Sequence, residues 1–320
     1  MSVAVIEVHD LAKRFTVRRG GILSRDRAVV RAVDGLTFAV EPGTLLGYIG
    51  PNGAGKSTTV KMLTGILVPS AGEVSVAGFV PWKQRTRLAR RIGVMFGQRM
   101  QLWWDLPLID SFDLLRHMYR VPAETYVRNL ALFREALELD AFLRTPVRQL
   151  SLGQRIRGEL TAALLHDPEI VFLDEPTIGL DLVARQRVRE LLLRANRDRG
   201  VTVLLTSHDL MDIERLCSRI LIIDHGRLVY DGDVERLKAR YGTERTLVVD
   251  LEEPAPPLEI EGTRVVKVEG PRQWIAFEGA RMSAARLTAA IAERAPIRDL
   301  TIEEPDIEDV VRRIYREQGR

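Results

Sequence analysis

The sequence has a single cysteine, Cys217, in 320 residues, so no internal disulfide can form and a reducing compartment is implied. Cys217 lies among apolar residues in MDIERLCSRILIID, where a buried, unreactive thiol is expected. No uninterrupted apolar stretch approaches the roughly 18 residues that a membrane-spanning helix needs. The start, MSVAVIEVHD, lacks the basic region and long apolar stretch of a signal peptide. The chain is therefore expected to be soluble by itself, with any membrane connection made through a partner. Neither sign of charge dominates. Lys and Arg number 47 against 44 Asp and Glu, a net +3 that permits an anionic partner without resembling a dedicated nucleic-acid surface. Internal repeats and low-complexity tracts are also missing. Tryptophan is scarce at four, yet Trp103 and Trp104 adjoin in FGQRMQLWWDLP.

What is there reads as an α/β chain. TLLGYIG (44–50), EIVFLDE (169–175) and VTVLLTS (201–207) are nearly continuous apolar runs, as strands of a parallel sheet covered on both faces should be. Between the first two of these runs, from about 107 to 166, the pattern turns helical. Tyr126, Leu130, Phe133 and Leu137 share a helical face, and LGQRIRGELTAALLH is a second helix ended by Asp167-Pro168. This places a helical insertion at about 98–166 within a main domain of 1–240. The tract 11–31 holds seven Lys or Arg against one Asp, and its Gly-Gly suggests a surface loop. PAPP at 254–257 reads as a turn or short linker. TRVVKVEG, RQWIAFEG, SAARLTAAIAERA, PIRDLTIEE and DIEDVVRRIYRE then read as strand, strand, helix, strand and helix, a small α+β module over 245–320.

GPNGAGKST, residues 50–58, follows an apolar strand and opens a helix, the context that makes a phosphate-binding loop credible. Gly50, Gly53 and Gly55 let the backbone of Pro51, Asn52 and Ala54 wrap closely around phosphate oxygens. The N–H groups opening the next helix point at the anion. Lys56 is placed to reach the β- and γ-phosphates, the Ser57 hydroxyl to ligate Mg²⁺, and Thr58 continues the same turn. IVFLDEP (170–176) supplies two acids at the end of an apolar strand. Asp174 is placed to hold the Mg²⁺ shell and Glu175 to orient and deprotonate an attacking water. A structural ion pair is the alternative reading of the two acids.

The order of the remaining motifs carries a resemblance. LSLGQR (150–155) precedes the acidic strand by about twenty residues, IGLD (178–181) follows it, and TSHD (206–209) closes the next strand. The set resembles the ATP-binding subunit of ABC transporters over about residues 3–240, a P-loop NTPase fold. That resemblance implies two subunits sandwiching two ATP, with Ser151, Leu152, Gly153 and Gln154 as the signature facing the opposing nucleotide. It makes Asp181 the aspartate of the D-loop bridging the subunits, and His208 the switch histidine on the γ-phosphate. Phe15 matches the place of the aromatic residue that stacks on adenine. Leu152 departs from the commoner glycine of LSGGQ. Ser151 is also readable as a plain helix cap, and Phe15 as ordinary core.

The family has a glutamine between the sheet domain and the helical insertion that touches Mg²⁺ and water. Gln98 is assigned to it across a one-residue insertion at Gly97, with Gln101 the weaker candidate. Adjacent tryptophans cannot share one face of a helix or strand, so one is expected inside and the other in a groove that grips a membrane subunit; both in the core is the alternative. The single ATPase unit and the C-terminal module look like exporters of the ABC-2 type, and the Trp stretch is similar to a bacterial multidrug or antibiotic subset. The resemblance implies ATP and Mg²⁺, separate ABC-2-type integral membrane permease subunits, and a second copy of the chain or a related ATPase subunit. It also implies a peripheral location on the cytoplasmic face of the inner membrane. An importer subunit, or a soluble ABC-class ATPase of translation or DNA repair, is the other reading.

Overall fold

The computed structural model describes residues 4–18, 27–96, 100–207, 209–242, 244–279, 281–304 and 306–318. The chain divides after Gly232 into two compact units. The first is built on a six-stranded sheet ordered Ile92–Met95, Ile170–Asp174, Thr202–Thr206, Leu45–Ile49, Arg219–Asp224 and Arg227–Asp233. The first five strands run parallel. The three apolar runs singled out in the sequence are its centre, and Ile170–Leu173 and Thr202–Thr206 are buried throughout. The last two strands form a hairpin through His225 and Gly226, both at positive φ as a two-residue turn of this hand requires.

A second sheet, antiparallel, is ordered Arg27–Val40, Ile6–Arg18 and Ala71–Val76. The flanks of the basic tract are thus strand rather than loop, and its Gly-Gly lies outside the described residues. Leu11–Arg18 and Arg27–Arg31 are paired strand residues, while 19–26 fall outside the described segments. Charges alternate with Leu11, Phe15 and Val17 because the ribbon is largely exposed, and that density hides the two-residue period. The two sheets share one core, from Ile6, Val8, Leu36 and Val40 to Leu46, Tyr48, Phe172 and Leu204.

Helices Leu108–Tyr119, Ala123–Ala136 and Leu152–Leu164 occupy the stretch between strands Ile92–Met95 and Ile170–Asp174. Tyr126, Phe133 and Leu137 are buried, as their spacing predicts. Helix Leu152–Leu164 lies directly on strand Ile92–Met95: a β-carbon at Gly93 would sit 2.0 Å from the Ala163 carbonyl oxygen.

The second unit holds a four-stranded antiparallel sheet ordered Thr263–Glu269, Arg272–Glu278, Glu244–Leu251 and Ile297–Glu303. Helix Ala284–Ala292 buries Leu287 and Ile291 in its core beside Leu247, Val249, Ile275 and Phe277. The PAPP segment belongs inside this unit. The buried Gln273 amide donates to the Ala255 and Pro256 carbonyls at 3.1 and 3.0 Å, and its oxygen accepts from Leu258 N at 2.9 Å.

Cys217 is buried, and burial together with the charge of Asp212 pushes its thiol well above the ordinary range. Native protein is expected to resist a thiol-specific chromogenic reagent at pH 8 and to react fully once unfolded in guanidinium. Rapid labelling of the native chain would contradict this burial.

Candidate functional site

Strand Leu45–Ile49 ends at Gly50, and the chain turns through residues 51–55 into helix Lys56–Leu63. Two glycines of the turn are dictated by close approach. A β-carbon at Gly55 would lie 2.3 Å from the Ala32 carbonyl oxygen, and its φ of 104° is a glycine conformation. At Gly50 the obstruction is the Ile223 carbonyl oxygen at 2.5 Å. Ala54 is buried under the loop and its carbonyl accepts from Gly226 N at 3.0 Å. No side chain caps the helix at Gly55, so its first N–H groups remain available to a ligand.

The loop forms one wall of a cavity of about 710 Å³. Pro51, Asn52, Gly53, Gly55, Lys56, Ser57 and Thr58 line it, and Asp174, Glu175, Phe96 and Ile178 face them. Strand Thr202–Thr206 separates the strands that deliver the two walls, so the loop and the acids stand about 10 Å apart at their roots. The Lys56 ammonium donates to the carbonyls of Gly50 and, at 3.2 Å, Pro51. Burial lowers its pKa from the ordinary lysine value, while the carboxylates of Glu175 and Asp174 draw it back up.

The acids are held differently. The Thr206 hydroxyl donates to Asp174 Oδ1, fixing that carboxylate at the mouth of the sheet. Glu175 turns off the strand at a φ of 58°, with its N–H donating to the Thr206 carbonyl at 3.1 Å. A left-handed conformation in a residue other than glycine costs on the order of 1 kcal/mol or more. A continuing strand would send the two adjacent side chains to opposite faces, whereas with this turn Asp174 and Glu175 both line the same cavity.

The other residues singled out in the sequence lie elsewhere. Ser151 caps helix Leu152–Leu164 in a reciprocal arrangement: its hydroxyl accepts from Gln154 N at 3.2 Å, and its own N–H donates to Gln154 Oε1 at 2.8 Å. Leu152 is 50% exposed and covers Gly179, where a β-carbon would meet its Cδ2 at 2.4 Å. Gly153 stands against Leu180 and the Gly179 carbonyl. Asp181 caps helix Leu182–Arg199, accepting from Ala184 N at 2.8 Å. None of these lines the cavity of its own chain. Phe15 pairs with Val30 under the Lys13 ammonium, 5.3 Å from its ring centroid, and also does not line the cavity. Gln98 and His208 lie outside the described residues. Asp209, beside the latter, pairs with Arg185 at 2.6 Å.

Gln101 is described. Its amide donates to the Val94 carbonyl, and its N–H donates to Glu159, a buried carboxylate that sequence reasoning missed. The available signal was one acid inside the apolar run GELTAALL. Burial pushes the Glu159 carboxyl up to about 7, against the pull of its hydrogen bonds from Gln101 and Leu102. Trp104 is 46% exposed and Trp103 partly buried, so neither is a fully buried core residue.

Residues 33–178 match the protein family described as ABC transporter. The chain is 37% identical over 262 residues to the Nod factor export ATP-binding protein I of Burkholderia pseudomallei, covering 80% of this chain and 79% of that one. It is 37% identical to the daunorubicin resistance ATP-binding protein DrrA3 of Streptomyces coeruleorubidus, over 66% of this chain and 69% of that one. Among solved structures, an ATP-binding subunit of an ABC transporter superposes with a TM-score of 0.65 at 26% identity, covering 74% of this chain and 93% of that one. The cassette MJ0796 bound to ADP and Pi, at 23% identity and a TM-score of 0.62 over 72% of this chain and 98% of that one, shares the fold. A chain this similar to export ATP-binding proteins belongs to the ABC transporter family, as one of its ATP-binding, ATP-hydrolysing subunits.

Proposed function

We propose that the cavity between residues 50–58 and Asp174-Glu175 is the hydrolytic site, and that its chain powers an ABC-2-type exporter. The observation that carries this reading is the shared wall of one cavity: phosphate-loop donors on one side, two differently held carboxylates on the other. The loop N–H groups and Lys56 bind the phosphates and neutralise charge that builds in the transition state. Ser57 and Asp174 offer a hydroxyl and a pinned carboxylate, the hard oxygen donors that suit Mg²⁺. When bound, that ion supplies Lewis acidity to the phosphate oxygens. Glu175, turned off the strand, accepts the proton of the attacking water. Gln98, His208 and the stacking residue Phe15 complete the site on the family resemblance alone.

The N-terminal end of the Ser151 helix is off this cavity; Leu152 is exposed there against Gly179, and Ile178, Leu182 and Val183, near Gly179 in sequence, are exposed as well. These features support a site completed by a second copy of the chain or a related subunit, with Ser151, Gly153 and Gln154 facing its nucleotide and Asp181 at the junction. No described helix is long and apolar enough to cross a membrane. Exposed Met100 and Trp104, with Leu114 and Met118 one turn apart on the next helix, offer an aromatic and apolar seat for a separate permease. Such a complex sits on the cytoplasmic face of the inner membrane. The export names of the relatives favour this over an importer subunit or a soluble ATPase of translation or repair.

Glu175→Gln is expected to keep ATP binding and to lose about 10²–10⁴ in hydrolytic rate, measured as phosphate release. Near-normal turnover would remove Glu175 from its role. Gly55→Ala forces a β-carbon onto the Ala32 carbonyl and should weaken ATP binding by about tenfold or more in equilibrium dialysis. Unchanged affinity would place the nucleotide elsewhere. Tagged Glu175→Gln purified with MgATP from gently solubilised host membranes should bring down a multi-span protein in stoichiometric amount. Recovery with ribosomes, nucleic acid or soluble proteins alone would overturn the exporter and leave the ATPase.

A further inference from the structure

Helix Leu152–Leu164 begins at the Ser151 capping box and carries three consecutive neighbours on one face, Arg155, Gly158 and Glu159, at helical spacings of three and four. Each holds a different part of the loop 101–104. Glu159 Oε1 accepts from Gln101 N at 2.9 Å and from Leu102 N at 3.2 Å, and its Oε2 lies 3.1 Å from Gln101 N. At Gly158 a β-carbon would meet Leu108 Cδ1 at 2.9 Å and Leu102 Cδ1 at 3.1 Å, so the missing side chain leaves a notch that seats both leucines. The Arg155 guanidinium lies 5.6 Å from the ring centroid of Trp104.

Glu159 is 5% exposed, and a carboxylate this deep in a helix is costly unless its oxygens are used. Here they satisfy loop N–H groups that the fold takes out of water. The other side of the loop is also anchored. The Gln101 amide donates to the Val94 carbonyl, Trp103 N to Ser111 Oγ at 3.2 Å, and Arg148 N to the Trp104 carbonyl at 2.9 Å. From Glu159 to Ser151 the helix spans eight residues, about 12 Å. Its far end is locked by the contact of Ala163 with Gly93.

We propose that Glu159 is a positioning residue that fixes the Gln101–Trp104 loop to the helix starting at Ser151, so that nucleotide at the Ser151 end and the environment of Trp104 report on each other. This deepens the reading of Trp104 as part of the permease seat and rests on it for its purpose, while its test needs only the chain and ATP. The linkage is reciprocal: whatever ATP does at Trp104, a partner on Trp104 does to ATP affinity. Glu159→Gln keeps an oxygen where Oε1 stands and retains both loop hydrogen bonds. Glu159→Ala removes them.

The test uses the full chain carrying Glu175→Gln, with Trp82, Trp103 and Trp274 replaced by Phe, so that Trp104 alone emits. Saturating MgATP is expected to shift Trp104 emission in this parent. Adding Glu159→Ala should cut that response about fivefold or more, while the ATP dissociation constant, from dialysis with radiolabelled nucleotide, stays within about twofold. Glu159→Gln should restore the response. A role confined to stability lowers the melting temperature without removing the response of the folded protein. If Glu159→Ala does not fold, Leu102→Ala carries the test, since it removes the loop's contact at the Gly158 notch while Leu108 stays, and should also reduce the response. A full response in Glu159→Ala, equal loss in Glu159→Gln, or a parent that binds ATP with no Trp104 change would each overturn the proposal. A parent that binds no ATP would instead sink the nucleotide-site reading above.

Discussion

Phosphate presents many acceptors and no donors, so a protein that binds it needs backbone N–H groups that nothing else has claimed. The rest of this structure depends on keeping such groups free at one edge of a parallel sheet. Parallel strands deliver their carboxyl ends to the same side, which is why Gly50, Asp174 and Thr206 meet although 156 positions separate the first from the last. The loop holds its shape by leaning on backbone that does no chemistry. Ala32, from the antiparallel sheet, and Ile223, from the neighbouring strand, supply the carbonyls that leave Gly50 and Gly55 no room for a side chain. Gly226, in the hairpin turn, donates to Ala54 beneath.

The Ser151 helix obeys the same logic at its own N-terminus. The capping box uses Gln154 N and Ser151 N and leaves the intervening N–H groups of the first turn unclaimed. What differs is the support. The phosphate loop is braced by strands, whereas the Ser151 end is braced by the helix itself, held at Gly93 and along its Arg155–Glu159 face. A rigid rod held at the middle and far end moves its tip when the middle is pushed.

Where the physical signal was local, the sequence was readable. The phosphate loop follows from residue type and spacing, and the parallel strands from continuous apolar runs. The strands and helices after residue 262 follow from their alternating patterns. Strand Glu244–Leu251, one of the two inner strands of its sheet, lacks the signal that marks the others. Leu247, Val248 and Val249 are all buried, so the run has no two-residue period, and it follows a helix end that reads as a boundary. Glu159 and Gln273 were illegible for a related reason. Each is a polar side chain whose partners are backbone groups distant in sequence, and nothing in composition reveals which amide a buried carboxylate or carboxamide will meet. Phe15 was placed by the order of motifs alone; it pairs with Val30 beside Lys13, and nothing in its local pattern marks whether a base stacks on it.

The departure at Leu152 acquires a physical meaning from its neighbour. Gly179 follows the acidic strand at a φ of 68°, and the Leu152 side chain occupies the space a β-carbon there would need. A glycine at 152 would leave that space open. With leucine, the start of the Ser151 helix and the turn that ends in Asp181 share a packed contact. Arg185 extends it, donating to the Leu180 carbonyl and pairing with Asp209 beside the end of strand Thr202–Thr206. One step farther along the same helix, Arg189 and Asp212 form a buried pair at 2.8 Å. The turn after Glu175 is thereby tied on one side to the helix that carries Trp104's clamp and on the other to the strand whose Thr206 pins Asp174. A displacement of the Ser151 helix therefore meets, through Leu152 on Gly179, the turn that follows Asp174 and Glu175.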